Sequence, residues 1–201
     1  MSTIKTTSIT HGSNSGTANL VLASDGKVTI PEKKLYCPGA VDQVQSTCKT
    51  DGWSESVSAA ATSGVITGLT VAITPTASTS KVLIMCHISG TASSSIWQNW
   101  SLTRGGSKLD AATGDQWGSN RRRNTVGGLP YTNTGIMNNF FFTFLDSPSS
   151  TSAQTYGVVF TNGASGSTTT AYVNQGDASD DTSRGSYTSV ITAMEEAAYW
   201  D

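Results

Sequence analysis

The stretch that most constrains the fold is Lys81–Ser89, which has no turn residue and no charge after its first position. At the two-residue period of a β-strand, its side chains divide between two faces: Val82, Ile84, Cys86 and Ile88 on one, and Leu83, Met85 and His87 on the other. A strand with one face in water would alternate apolar with polar residues. We therefore expect both faces to be covered, one by the domain core and the other by a second sheet, an overlying segment or another copy of the chain.

Ile136–Asp146 has the same two-sided apolar pattern. Phe140, Phe142 and Phe144 share one face, and Phe141 and Leu145 share the other. Two such strands in one chain indicate sheets that pack against neighbouring subunits about a symmetry axis. The pattern therefore predicts a homo-oligomer.

The rest of residues 41–201 forms a series of β-prone segments separated by Gly, Pro, Ser and Thr turns, with no convincing helix. The predicted strands are Val41–Thr50, Val65–Thr74, Lys81–Ser89, Ile96–Arg104, Ser107–Asp110, Ile136–Asp146, Gln154–Thr161, Thr168–Asn174 and Ser189–Glu195. Polar loops are predicted over 53–63 and 111–131. This pattern predicts an all-β fold, an antiparallel jelly-roll-like β-sandwich.

Residues 1–40 differ from that head domain and are predicted to form an extended N-terminal arm. Residues 1–17 are polar and lack a hydrophobic period, which indicates an extended or disordered segment. A β-hairpin is expected where Asp25-Gly26 separates two short apolar runs, Leu20–Leu22 and Val28–Ile30. Because an isolated hairpin is marginal in water, its side chains are candidates for assembly and anchoring: Leu20, Val21, Leu22, Val28 and Ile30.

The chain has 201 residues, of which 13% are charged, with a formal net charge of −2. Ordinary soluble domains are roughly 25% charged. A hydroxyl-rich, weakly charged surface is typical of extracellular and virion β-proteins and disfavours nucleic acid as a partner. No signal segment or run long enough for membrane insertion is present, so synthesis in a cytoplasm is expected.

The chemistry-bearing residues form no known catalytic or metal-binding pattern. Cys37, Cys48 and Cys86 lack CxxC spacing and are expected to be small buried hydrophobes. His87 has no nucleophile signature nearby and is expected to be a satisfied core or interface residue. We predict no cofactor, no metal and no catalytic residue.

Two loops contain the candidate contacts with a ligand or partner. One contains Trp117 and the basic run Arg121, Arg122 and Arg123, which could bind a carboxylate or phosphate or form an intersubunit ion pair. The other contains Asp177, Asp180 and Asp181, whose spacing does not match an EF-hand and is more typical of a solvated loop tip than of a cation site.

Two tryptophans near a predicted strand are further contact candidates. Trp97 and Trp100 are three residues apart and are expected to point to opposite faces, with at least one of them packed in a core or interface.

Several segments resemble a family of bacteriophage virion proteins common in marine and cyanobacterial phages. The segments are 19–26, 67–75, 80–84, 102–106, 144–148, 162–163 and 189–195. The resemblance implies a β-sandwich, trimerisation, and a role as a tail-fibre or other surface structural protein. It supplies no site residues, because the family has no catalytic motif.

The resulting hypothesis is a non-enzymatic structural protein on the virion surface, anchored by its arm to other virion proteins. Two placements remain open: a capsid decoration or cement protein, or a tail fibre whose loops 111–131 and 174–187 recognise host surface glycan. A glycan-degrading enzyme is the alternative from another class. It would need two carboxylates in a cleft, for which only Asp110, Asp146 and Glu195 at strand ends are available.

Overall fold

A computed structural model describes residues 6–10, 20–29, 41–93, 96–116, 118, 121–128, 136–164, 166–176 and 185–196. Contacts divide the chain into two compact units, Met1–Pro38 together with Asp201, and Gly39–Trp200. Each unit is described by itself.

The first unit contains a three-stranded antiparallel sheet in the order β1-β2-β3. Its strands are β1 (Ser8–Ile9), β2 (Leu20–Leu22) and β3 (Val28–Thr29). The expected hairpin is present: β2 pairs with β3, and Gly26 adopts a φ of +85° at the turn. Strand β1 was not predicted, because backbone pairing of two residues to β2 needs no hydrophobic period. Ile30 lies outside the described residues.

The described residues of the second unit form eleven strands in two sheets. The strands are β4 (Val41–Lys49), β5 (Trp53–Val57), β6 (Thr70–Ile73), β7 (Lys81–Ala92), β8 (Gln98–Arg104), β9 (Ser107–Lys108), β10 (Val126–Gly128), β11 (Asn138–Asp146), β12 (Gln154–Asn162), β13 (Thr169–Val173) and β14 (Ser189–Glu196). One short 3-10 helix, Asp110–Ala112, is the only helix among the described residues. No helix in the described part of the chain is long and apolar enough to cross a membrane.

Strand β7 is the centre of the six-stranded sheet. Strand β11 pairs antiparallel with residues 82–90 of β7. Strands β14 and β13 pair with residues 81–87 and 90–92 of β7, and they pair in turn with β4 and β5. Strand β7 thus has hydrogen-bonded neighbours along nearly its whole length.

The second sheet is five-stranded, in the order β10-β8-β12-β6, with β9 also paired to β8. Gly105 and Gly106, both at positive φ, form the expected turn between β8 and β9. All residues of β12 from Tyr156 onward are buried. The outer side of this sheet is covered by its own chain: Lys108 Nζ donates to Thr161 Oγ1, and Val65 lies against Gly157.

The core lies between the two sheets. Its largest fully buried side chains include Trp100, Tyr156 and Phe160 from the five-stranded sheet and Ile84, Ile88 and Ile191 from the six-stranded sheet. Trp100 contacts Phe160 edge-on, with ring centroids 5.0 Å apart, and Phe140 of the facing sheet at 5.7 Å. The prediction of an all-β, sandwich-like antiparallel fold is confirmed.

Some predicted boundaries were wrong. Trp53–Val57 forms β5 rather than part of a polar loop, because its pairing with β13 satisfies the backbone although the segment has only two apolar residues. Strand β6 begins at Thr70, not Val65, since Gly68 adopts a φ of +80° in a turn just before it. The predicted loop 111–131 contains strand β10, which pairs with β8.

Candidate functional site

The outer face of the six-stranded sheet is the most unusual surface of the described chain. In an antiparallel pair, residues directly opposite each other project to the same face. The pairing registers align outer residues of β11, β7, β14 and β4 in three rows, which we call the outer grid: Leu145, Leu83, Met194 and Val44; Thr143, Met85, Thr192 and Ser46; Phe141, His87, Val190 and Cys48.

The first row of the outer grid is apolar, the central row has three hydroxyl side chains and one methionine, and the third row has His87 among three apolar side chains. Ser46 Oγ and Thr192 Oγ1 are hydrogen-bonded at 2.9 Å within the central row. In the third row, the ring of His87 stacks on that of Phe141 at 4.4 Å with an interplanar angle of 14°. His87 Nε2 also lies 3.1 Å from Asn139 Oδ1. The grid contains no acidic residue, lysine or arginine.

Large apolar side chains of the grid are exposed to solvent. The exposed fractions are 68% for Phe141, 52% for Val44, 44% for Leu145 and 37% for Met85. A shallow depression of about 320 Å³ lies among Met85, Phe141 and Val190. The expectation of a second cover over β7 is therefore not met within the described residues of a single chain.

The grid continues to an open sheet edge. Within the described residues β11 pairs only with β7, so its other edge has unpaired backbone groups. Natural edge strands are usually interrupted by proline, lysine or bulges that prevent pairing with another chain. Strand β11 reads Asn-Asn-Phe-Phe-Phe-Thr-Phe-Leu-Asp; it has none of these features, and its one charged residue, Asp146, is buried.

The anchoring residues predicted in the hairpin are incompletely buried. Leu20, Val21 and Leu22 are half-buried, and Val28 is 60% exposed. The hairpin therefore leaves apolar side chains partly in water.

The basic run divides into two parts with different surroundings. Arg123 is used within its own loop: its Nε donates to Gly114 O at 3.0 Å and its Nη2 to Asp110 O at 3.1 Å. Arg121 and Arg122 instead line an open cavity of about 460 Å³ together with Trp97, Asn99, Asn124 and Gly163. Trp117 lies outside the described residues.

The acidic loop cannot be placed, because Asp177, Asp180 and Asp181 lie outside the described residues. Elsewhere in the described chain, no three His, Cys, Asp or Glu side chains come together as metal ligands could.

Of the three carboxylates that a glycan-degrading enzyme could use, Asp110 is exposed near Arg123, whereas Asp146 and Glu195 accept hydrogen bonds from donors of their own chain. Asp146 and Glu195 both flank Val82 on the inner face of the sheet. Asp146 accepts from Arg104 Nη1 at 2.6 Å and from Tyr156 Oη at 2.7 Å. Neither carboxylate lines one of the cavities described above.

Glu195 has no exposed surface and accepts from Gln43 Nε2, from the Thr76 backbone N–H and from Thr76 Oγ1. Its burial acts to raise the pKa, but the hydrogen bonds from Gln43, Thr76 and Ser80 outweigh burial, so the pKa lies below its ordinary value. The group is a carboxylate at neutral pH, held at the edge of the sandwich.

Cys37 lies outside the described residues, and one of the other two cysteines differs from expectation. Cys86 is buried, as expected, and burial raises the pKa of its thiol. Cys48 is exposed in the outer grid, so its description as a buried hydrophobe was wrong. It faces outward because the next residue, Lys49, turns inward at the same edge of the sheet.

Most of the outer grid, and the cavity lined by Trp97 and Arg122, were not predicted from the sequence. For the outward-facing residues of β14, the sequence did contain a signal: Val190 and Met194 alternate with the buried Ile191 and Ala193. The cavity had no such signal, since Trp97, Arg122 and Gly163 are far apart in the sequence.

A scan of the sequence against protein-family models finds no match, and a search of curated proteins finds no relative at a significant level of similarity.

Proposed function

We propose that this chain is a non-enzymatic structural protein of a bacteriophage particle, displayed on the virion surface and assembled as a homotrimer of jelly-roll-like heads. The virion setting rests on the sequence segments that resemble phage surface proteins. The assembly is supported by one observation above all: the outer grid is mostly apolar, has no acidic residue, lysine or arginine, and is exposed on a single chain.

The size of the grid suits a contact between protein chains. Four strands about 4.8 Å apart and three rows about 6.8 Å apart cover on the order of 400 Å². The largest apolar patch on a soluble monomer is typically about 300–600 Å² and is often functional. A stable interface needs about 800 Å² from each partner, so neighbouring surface, including the open edge of β11, must contribute the rest.

The occupant that fits the grid best is another copy of the same chain. Two identical faces without charge can meet without repulsion or burial of an unpaired ion. Around a threefold axis, each grid would divide its area between two neighbours. In this arrangement the side chains of Phe141 and Leu145 leave water.

The experiment is the solution mass of the full chain, measured by light scattering behind a sizing column. We expect three chains for the wild type and one for the double variant Phe141→Ser, Leu145→Ser. Trp97→Ser, which removes an exposed aromatic residue outside the grid, is the matched control and should remain a trimer. A monomeric wild type would overturn the proposal, and a stable dimer would overturn the threefold arrangement.

Placement on the particle needs a separate measurement. Antibody labelling of purified virions distinguishes a capsid decoration protein from a tail fibre. Absence of the protein from washed virions would contradict the virion setting while leaving the self-assembly test unaffected.

A further inference from the structure

The cavity beside the basic run combines three kinds of side chain that rarely meet on so weakly charged a surface. One aromatic residue, Trp97, two arginines, Arg121 and Arg122, and two amides, Asn99 and Asn124, line the same space of about 460 Å³. Small-molecule sites commonly occupy about 300–1,000 Å³. All of these residues belong to the five-stranded sheet or to the loop beside it, so the cavity is separate from the outer grid.

The backbone of Trp97 is held by neighbouring residues, whereas its side chain is exposed. Trp97 is 56% exposed, whereas Trp100 on the opposite face is fully buried. Asn99 Nδ2 donates to the carbonyl oxygen of Trp97 at 3.2 Å. Gly163 lies against the same residue so closely that a β-carbon there would approach Trp97 O to 2.6 Å. An exposed indole on a fixed backbone offers a ready surface for stacking.

Hydrogen bonds donated by Lys108 also hold the loop that contains the arginines. Lys108 Nζ donates to Arg123 O at 3.0 Å, Asn124 Oδ1 at 3.3 Å and Thr161 Oγ1 at 3.2 Å. Arg123 is held by carbonyl oxygens of its own loop, as described above. Arg122, which lines the cavity, therefore belongs to a loop that these hydrogen bonds hold in place.

The cavity has a positive local charge. Burial lowers the pKa of Lys108; Asp110 opposes that effect, and the charges of Arg122 and Arg123 add to it. In the described part of the chain, Arg122 forms no ion pair, while Arg123 lies 3.9 Å from Asp110. A bound anion would relieve the repulsion among these cations.

The amides add hydrogen-bonding capacity beside the arginines. A primary amide has two N–H donors. Within the described chain Asn99 uses one, toward Trp97 O, and Asn124 uses one, toward Arg122 O. Each residue retains a donor for a ligand hydroxyl or ring oxygen.

We propose that this cavity binds an acidic sugar unit, a pyranose that carries a carboxylate. The apolar face of the sugar stacks on Trp97, its carboxylate pairs with the guanidinium of Arg122, and its hydroxyl groups take the remaining N–H donors of Asn99 and Asn124. A nucleic acid fits less well, because its affinity depends on many phosphate contacts and this chain has a net charge of −2. The inference uses no residue of the outer grid and does not depend on the proposed assembly.

The test is binding of the full chain to small saccharides, measured by ligand-observed NMR and titration calorimetry. The probes are trigalacturonate, glucuronate and N-acetylneuraminate, with methyl-esterified trigalacturonate as the uncharged match, and inorganic phosphate and a short oligothymidylate as alternative anions. We expect at least one acidic sugar to bind at least tenfold more tightly than phosphate and oligothymidylate. If trigalacturonate is the binder, its methyl ester should bind at least tenfold more weakly.

Variants assign the binding to the cavity. Trp97→Ala and Arg122→Gln should each weaken binding at least tenfold. Gly163→Ala should also weaken it, although it removes no cavity side chain, because its β-carbon displaces Trp97. Lys81→Gln and Phe141→Ser, an exposed cation and an exposed aromatic residue elsewhere, should leave affinity unchanged.

Three results would overturn the proposal. They are no binding of any acidic sugar at millimolar concentration, binding that is unchanged in both Trp97→Ala and Arg122→Gln, and tighter binding of phosphate or oligothymidylate. Loss of the trimer in Phe141→Ser, Leu145→Ser with sugar affinity retained would separate this site from the assembly surface.

Discussion

The backbone of Gly90 in β7 lies against the indole ring of Trp100 in β8. A β-carbon at position 90 would approach Cζ2 of the ring to 2.5 Å. Trp100 has no exposed surface, so the ring cannot swing into solvent. This contact fixes the distance between the two sheets at the centre of the sandwich, and only glycine permits it.

Gly90→Ala should therefore destabilise the head domain. Inserting a methyl group into a closely packed core costs about 1–3 kcal/mol. For a domain of this size, a loss of about 2 kcal/mol lowers the Tm by roughly 4–8 °C. Gly114→Ala, which adds a methyl group where no atom lies within 4 Å, is the control and should unfold like the wild type. Equal melting temperatures for the two variants would show that the sheets can separate at no cost.

Stability should fall in acid partly through Glu195. Its folded pKa lies below the ordinary value of 4.5 because its hydrogen bonds outweigh the opposing effect of burial. A lowered folded pKa gives a stabilisation that is fully present above pH 4.5 and is lost as the pH falls through the folded pKa. Denaturant unfolding at several pH values below neutrality should show this decline.

Glu195→Gln should flatten that part of the decline. At neutral pH the variant should lose about 1–3 kcal/mol, since an amide nitrogen would face the N–H donors of Gln43 or Thr76. Glu196→Gln changes the exposed neighbouring carboxylate and should leave the acid profile intact. An unchanged profile in Glu195→Gln would assign the acid sensitivity to other groups, such as Asp51, whose pKa is lowered by its hydrogen bond from Lys49.

Cys48 should report whether the outer grid is covered. It is exposed on a single chain and belongs to the row that contains Phe141. In a Cys37→Ser background, we expect Cys48 to react slowly with a maleimide in the assembled protein and rapidly in the Phe141→Ser, Leu145→Ser variant. Cys86 should react only after unfolding in both, because it is buried and its thiol pKa is raised. Rapid labelling of Cys48 in the wild-type assembly would mean that subunits meet elsewhere.

Deleting residues 1–40 should leave a folded, oligomeric head that no longer enters particles. The strands of the head pair among themselves, and the hairpin pairs with β1. Circular dichroism, light scattering and incorporation into virions assess the three parts of this prediction. A truncated chain that is unfolded or monomeric would show that the arm belongs to the core.

The alternation of apolar side chains predicted most strands to within a few residues, because a strand that buries one face must repeat with period two. It failed at Trp53–Val57, where pairing with β13 makes a strand of a mostly polar segment. The alternation also could not show that Arg123 has a different environment from Arg121 and Arg122. The carbonyl oxygens that accept from Arg123 belong to residues 110 and 114, which no local pattern marks.

The sequence by itself determined that β7 and β11 have two apolar faces, because the identity of alternate residues decides what a strand exposes. Only the tertiary structure decided which face enters the core. Trp100 packs against Gly90 on the even-numbered side of β7, which is the buried side, and Met85 on the other side faces outward. The cavity beside Trp97 is likewise a product of packing, because Gly163, Asn99 and Arg122 meet only when β8, β12 and the arginine loop come together. Contacts between residues distant in sequence depend on the whole fold, whereas a strand's period depends on its own residues.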